Sequence, residues 1–310
     1  MAQLAPTTTA TSSSGVVRRR RRVPAADELP LSMAPKPALR AVAIVVLVIA
    51  CLYFLVPVYW LVVASTKSNA DLSTTFGFWF SGKNSLIDNY NSLMSWTQGL
   101  FWRWVGNSLL YSTVAGVLGT LFSVMAGYAI AKFAFPGKKI AVGVIMGGLL
   151  LPVALLTVPL YLEFHTLGLV NTIWAIIIPS AVSPFGVFLG MVYAQSSVPT
   201  ELIEAARIDG ANEARIFFTI VLRLLAPAMV TIFLFIFVAT WNNFLLPLLM
   251  VSSADLKPVT LGLYGMMSYF APVKGAVMLG ALLGVLPLVI LFFALQRYWR
   301  AGMAAGAVKG

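Results

Sequence analysis

Charge is what this sequence has least of. Asp, Glu, Lys and Arg supply 10% of its 310 residues, whereas hydrophobic types supply 60% and mean hydropathy is +0.91. Water-soluble domains carry about 25% charged residues. The polar surface is therefore too small to cover a soluble body of this size, and lipid must solvate much of the chain. Cysteine is nearly absent. A single Cys51 excludes an intrachain disulfide, and its apolar surroundings make it read as a small buried hydrophobe. No G-x-x-x-x-G-K-[ST] phosphate loop occurs, so the chain is not expected to hydrolyse ATP. With one histidine, His165 beside Glu163, there is no Cys/His metal set and no nucleophile–base arrangement. These residues read as interface groups outside the hydrocarbon, so no catalytic and no metal residues are assigned.

Long apolar stretches are what the sequence does have. Six uncharged runs cover residues 41–64, 104–131, 140–162, 166–194, 224–254 and 275–296. Each meets the roughly 20 residues that a helix needs to cross hydrocarbon, and lipid offers no partner for backbone left open. The expected fold is an all-α membrane protein of six transmembrane helices. Prolines lie inside five of the six runs (Pro57, Pro152, Pro159, Pro179, Pro184, Pro227, Pro247 and Pro287) and predict kinks. Three domains are expected: a disordered basic tail over 1–38, a membrane domain over 39–300, and a C-terminal tail over 301–310. The first is rich in Thr, Ser, Ala and Pro and too poor in large apolar groups to fold alone. A signal peptide fits it poorly, because the apolar run that follows is too long.

The basic residues divide unequally. Of 21 Lys and Arg, sixteen fall on the side of the two termini, the 132–139 turn and the 195–223 loop, against five on the other side: Lys67, Lys83, Arg103, Lys257 and Lys274. Basic residues are retained on the cytoplasmic face, so both termini are expected in the cytoplasm. The run Arg18 to Arg22 then reads as an anchor on anionic lipid, with no nucleic acid implied.

The loop between the fourth and fifth runs is far less apolar than its neighbours. It reads Val198-Pro-Thr-Glu-Leu-Ile-Glu-Ala-Ala-Arg-Ile-Asp-Gly-Ala-Asn-Glu213. Pro199 suits a first helical position, Glu201 and Glu204 favour the helix dipole, and Gly210 suits a C-terminal stop. A short cytoplasmic helix is expected from about Pro199 to Asp209, with a second starting near Ala211. Ala205 and Ala206 present almost no side chain, and Glu204 and Asp209 add negative charge around them. Such a surface suits docking into a cleft with cationic groups. A helix lying on lipid would favour Lys, Arg and bulky apolar residues instead.

Glu204-Ala205-Ala206, followed after three residues by Gly210, resembles the EAA loop of ABC-importer permeases, and Glu204-Ala-Ala-Arg-Ile-Asp-Gly-Ala211 resembles its carbohydrate-importer version. Phe135-Pro-Gly-Lys-Lys139, Pro159-Leu-Tyr161, Leu167-Gly-Leu169 with Asn171-Thr172, and Trp241-Asn-Asn-Phe244 with Pro247 extend the likeness over roughly residues 40–300. The pattern is most similar to the shorter six-helix permease of the maltose and glycerol-phosphate importer group. It departs at Arg223, where that family usually has proline. The resemblance implies an ATPase-docking set of Glu204, Ala205, Ala206, Asp209, Gly210 and Ala211. It implies as partners a homologous second permease, a cytoplasmic ATPase dimer that binds the ATP and Mg, and an extracytoplasmic sugar-binding protein, with no cofactor in this chain. It also implies a multi-pass inner-membrane location, with the short helix as the coupling element.

Sugars need amide and hydroxyl partners and aromatic faces. Asn107, Trp241, Asn242 and Asn243 are the candidate substrate-path residues, the alternatives being an interfacial Trp and helix-packing amides. Glycines such as Gly116, Gly119, Gly127, Gly143, Gly147 and Gly148 are expected to let helices approach closely. An ion-coupled transporter commonly places charged groups inside its spans, and these runs contain no Asp, Glu, Lys or Arg. A membrane enzyme needs a convergent catalytic set, and none is visible.

Overall fold

The computed structural model describes residues 37–267 and 273–307. Most of the N-terminal tail, including Arg18 to Arg22, the side chains of Arg297 and Arg300, and Lys309 lie outside the described residues or side chains. Among the described residues the chain is helical, with no strand. Four helices are long and apolar enough to cross a membrane, or six if each of two bent pairs is one span.

Helix α1 (Pro37–Ser65) contains Pro57. Contacts divide the chain within it, at Leu55 and Val56. In the first unit the described residues are this helix's first part, where nearly every side chain is exposed, as suits a surface solvated by lipid. Cys51 is among them, so the expectation of a buried cysteine fails: a 3.6-residue repeat that is apolar all round has no side reserved for a core.

The second unit contains α2 (Leu86–Trp96), α3 (Phe101–Lys132), α4 (Lys138–Leu150), α5 (Val153–Thr166), α6 (Trp174–Ala181) and α7 (Pro184–Ser197). These are followed by α8 (Thr200–Ile208), α9 (Glu213–Leu224), α10 (Ala226–Trp241), α11 (Leu245–Met250), α12 (Val259–Gly265) and α13 (Lys274–Ala307). Helix α3 is the centre, packing on α6, α7 and α10. It reaches α7 closely because a Cβ on Gly127 would overlap the backbone of Gly190 and Met191. Gly116 and Gly119 serve the same purpose against Phe233 and against Ala181 with Ile236. Gly143 and Gly147 do not, since a Cβ there would meet open space.

Proline does more than kink these helices. The third run was expected as one helix over 140–162, but α4 and α5 meet at 105°. A residue before proline is pushed out of the helical region, and Leu151, before Pro152, is extended at φ −76°, ψ 124°. Within the fourth run the helix starts at Trp174 and breaks before Pro184, where Ser183 is extended and its Oγ caps the Gly186 amide at 3.0 Å. The fifth ends as a helix at Trp241, well short of residue 254. Arg223 in place of the family's usual proline puts a bend after the loop in doubt, yet the chain does bend there: α9 and α10 meet at 81°, beside Pro227.

Candidate functional site

The most specific sequence signal falls on α8, and local chemistry defines both of its ends. Pro199, at φ −63° and ψ 135°, lies just outside the helix, one residue earlier in role than expected, and Glu201 occupies the first turn. At the other end Gly210 adopts φ +81°, a left-handed conformation open to glycine. Its amide donates to Arg207 O at 3.0 Å, and the Ala211 amide donates to Ala206 O at 3.0 Å. This pair of bonds is the Schellman termination, which satisfies carbonyls that the helix leaves open. Asn212 then caps α9, its Oδ1 accepting from the Arg215 amide at 2.8 Å.

The inner face of α8 is Ile203 and Ala206, spaced i and i+3. Both are buried with Val198, Tyr128, Ile216, Phe217 and Val221. The expectation that Ala205 and Ala206 present one small surface is therefore corrected. Ala205 is exposed, whereas Ala206 lets the helix sit close to its own bundle. Exposed with Ala205 are Glu201, Glu204, Asp209 and Ile208, the last 87% exposed. The carboxylates of Glu204 and Asp209 form no ion pair among the described residues. Sequence reasoning missed Ile208, although a helical wheel places it with Glu201, Glu204 and Ala205, opposite Ile203 and Ala206.

Two contacts fasten this helix. Arg207 Nε donates to Glu213 Oε1 at 2.6 Å, and its guanidinium lies 5.7 Å from the Phe133 ring centre, at the end of α3. The hydrogen bond to Glu213 raises the Arg207 pKa above its ordinary value. Tyr128 stacks edge-on against Phe133 and tilts on Phe217, joining α3 to α9 underneath. Within α9, Phe217–Val221 forms a π-helical turn shortly before the 81° bend.

The four candidate path residues are not brought to one open surface. Trp241 is buried and stacks on Phe237 at 5.8 Å, within a cluster that includes Trp104 and Leu263. Asn107 Nδ2 donates to Asp255 O at 2.7 Å and Lys257 O at 3.0 Å. Asn242 is exposed, with Nδ2 donating to Val238 O at 3.0 Å. Asn243 is half-buried, its Oδ1 accepting from the Leu246 amide at 3.3 Å. Asn242 and Asn243 thus sit at the end of α10, not inside a span.

Sequence reasoning also missed a clamp. Arg103, Trp104, Asn107, Ser108 and Tyr111 follow one stripe of α3, and all bond to residues 254–259. Arg103 adds an ion pair with Asp255 at 3.0 Å. The signal was a row of polar or amphipathic residues at helical spacing.

The family model described as "Binding-protein-dependent transport system inner membrane component" matches residues 119–304. An arabinooligosaccharides transport system permease protein of Halalkalibacterium halodurans is 36% identical over 82% of this chain and 91% of its own length. A lactose transport system permease protein of Rhizobium radiobacter is 34% identical over 85% of this chain and 94% of its own. Among solved structures, a bacterial ABC transporter involved in the import of the acidic polysaccharide alginate has a chain with TM-score 0.74. At 22% identity, covering 84% of this chain and 96% of that one, it shows the fold.

Proposed function

The chain belongs to the family of binding-protein-dependent transport system inner membrane components, and on that premise we propose that it is one of two permease subunits of an ATP-driven carbohydrate importer. It is a multi-pass membrane protein, and its family is a transmembrane permease component rather than an enzyme. Relatives named for arabinooligosaccharides and lactose support a carbohydrate cargo.

Six spans over 39–300 leave both termini, with the tails 1–38 and 301–310, on one side, and the excess of Lys and Arg on that side makes it the cytoplasm. The 200–208 helix then faces the cytoplasm and docks on a separate ATPase, which binds the ATP and Mg. The observation that carries this reading is the outward face of α8. An exposed Ile208 and small Ala205 lie among the carboxylates of Glu201, Glu204 and Asp209, a surface for a cleft with cationic groups. Gly210 and Ala211 end the helix at a defined depth. Closing of the ATPase dimer moves α8, and the Arg207 and Tyr128 contacts carry that motion to α3 and α9. A homologous second permease completes the path, and an extracytoplasmic binding protein delivers the sugar. Asn242 and Asn243 contact the sugar at the end of α10, while Trp241 and Asn107 support that region from within.

The test is reconstitution with and without the ATPase. Sugar uptake should require the ATPase and ATP, and the purified chain alone should neither bind nor hydrolyse ATP. A reporter active only in the cytoplasm should work when fused after residue 310 and fail when fused within 67–103. Uptake by this chain alone on an ion gradient would overturn the reading.

A further inference from the structure

One exposed aromatic cluster has no part in docking the ATPase or in the sugar path. Residues 76–80 read Phe-Gly-Phe-Trp-Phe, and all four aromatic rings are exposed, Phe76 at 73% and Trp79 at 67%. Four exposed rings within five residues form a contiguous apolar patch, and such patches mark interaction sites. Its position says with what. The segment folds back along the second unit's part of α1. Tyr59 Oη donates to Phe78 O at 2.9 Å, and Gly77 lies against the Trp60 indole. Tyr59 is six residues before the helix end at Ser65, so Phe78 sits roughly 9 Å down the helix from that end, at 1.5 Å per residue. The chain then returns to the helix end, where the Ser85 amide donates to Thr66 O at 2.8 Å. Buried Asn89 ties the return by donating to Ser65 O and Lys67 O.

The backbone of this loop is prepared for a medium poor in water. An open carbonyl is costly there, and two side chains aim donors at the loop. Lys67, 1% exposed, extends Nζ to Phe76 O at 2.7 Å and Thr75 Oγ1 at 2.8 Å, and Tyr59 covers Phe78 O. No ionisable residue occurs over 72–82. A surface for a soluble partner protein does not require that its backbone be shielded in this way. Trp and aromatic rings also collect where hydrocarbon meets headgroups.

We propose that residues 76–80 form a membrane-dipping hairpin, held by Lys67 and Tyr59, whose Phe78, Trp79 and Phe80 rings insert at the headgroup–hydrocarbon boundary beside α1. The leaflet follows from the topology proposed above. The depth does not, so the two readings fail separately.

Cys51 is the single cysteine, so a Cys51→Ser background accepts one nitroxide label at a time. Labels at Phe78→Cys, Trp79→Cys and Phe80→Cys are compared with Leu47→Cys in α1 and exposed Asn91→Cys as hydrocarbon and water controls. The full chain is reconstituted with its co-purifying subunits in phosphatidylethanolamine and phosphatidylglycerol vesicles. Labels at Trp79 and Phe80 should collide readily with oxygen, which concentrates in lipid. They should collide several-fold less with a water-confined nickel chelate than the Asn91 label does. Nickel access equal to the Asn91 control would overturn the proposal. So would shielding from both reagents, or shielding that develops only when purified sugar-binding protein is added, since either outcome means a protein partner. Measuring three labels separately guards against one substitution that disturbs the loop.

Discussion

Arg207 and Glu213 close a ring around the left-handed turn at Gly210, with Nε and Oε1 2.6 Å apart. The ring joins the last turn of α8 to the first of α9, and the same guanidinium covers Phe133 at the end of α3. One side chain thus touches three elements that must move together if α8 transmits a push.

Arg207→Glu should uncouple transport without preventing insertion, because the residue lies outside the spans. Uptake per ATP hydrolysed should fall several-fold at equal membrane abundance. The double variant Arg207→Glu with Glu213→Arg should recover part of it, since the pair is restored and only the ring contact changes. The loss from Arg207→Glu should be larger at low salt, where exposed charges are least screened. Equal coupling ratios for single and double variants at every salt concentration would remove the pair from the mechanism.

The two alanines should separate cleanly. Ala206→Trp drives a large ring into the buried cluster beneath α8, and overpacking costs about 1–3 kcal/mol. It should lower membrane abundance or melting temperature. Ala205→Trp and Ile208→Asp alter only the exposed face and should leave both intact while reducing ATPase co-purification several-fold. The check is abundance, melting and co-purification measured on the three variants side by side.

That separation marks how far the sequence was legible. The ends of α8 could be read because Pro199 and Gly210 act through local backbone chemistry, which needs no neighbours, whereas the cap of α9 at Asn212 was not read. Its two faces were less legible: Ala205 and Ala206 look alike until Ile203 and Phe217 show which way the core lies. Apolar runs announced the spans, and Pro152 and Pro184 announced kinks in them, but not how far each bends: Leu151 and Ser183 leave the helix through the proline that follows each, and the angle is then set by packing. Trp241 offered an aromatic face to sugar on paper. Only packing against Phe237 and Trp104 reveals it as core, since burial is a property of distant chain segments.

Gly210→Val should damage α8 by another route. The position has open space for a Cβ, so no clash arises, but its φ of +81° is strained for a β-branched residue. Such strain costs about 1–3 kcal/mol. The turn should relax and shift Asp209 and Ala211. Gly210→Asn, which tolerates this region better, should keep most of the coupled uptake that Gly210→Val loses. Indistinguishable uptake from both variants would show that the left-handed turn is dispensable.

Asn171 offers a test of the opposite end of the bundle. It is one of two non-glycine residues with positive φ among those described, at +61°. Its side chain spends every bonding atom on the segment after α11. Oδ1 accepts from the Ser252 and Ser253 amides at 3.1 and 2.9 Å, and Nδ2 donates to Ser253 Oγ at 2.7 Å. The Asn171 amide also donates to Met250 O at 2.8 Å. Asn171→Ala removes three side-chain bonds and leaves a residue less tolerant of the left-handed region. At about 0.5–1.5 kcal/mol for each bond, the loss should be about 2–4 kcal/mol. Asn171→Asp keeps the acceptor for both amides and loses only the donated bond, so it should cost less. Asn171→Gly keeps the backbone at ease while losing all three bonds, and should fall between them. Melting temperatures of the purified chain in detergent should rank native, Asp, Gly, Ala from highest to lowest. If Gly melts below Ala, backbone strain at this position is not what asparagine relieves; if Asp melts as low as Ala, the two amide bonds are not what holds the segment.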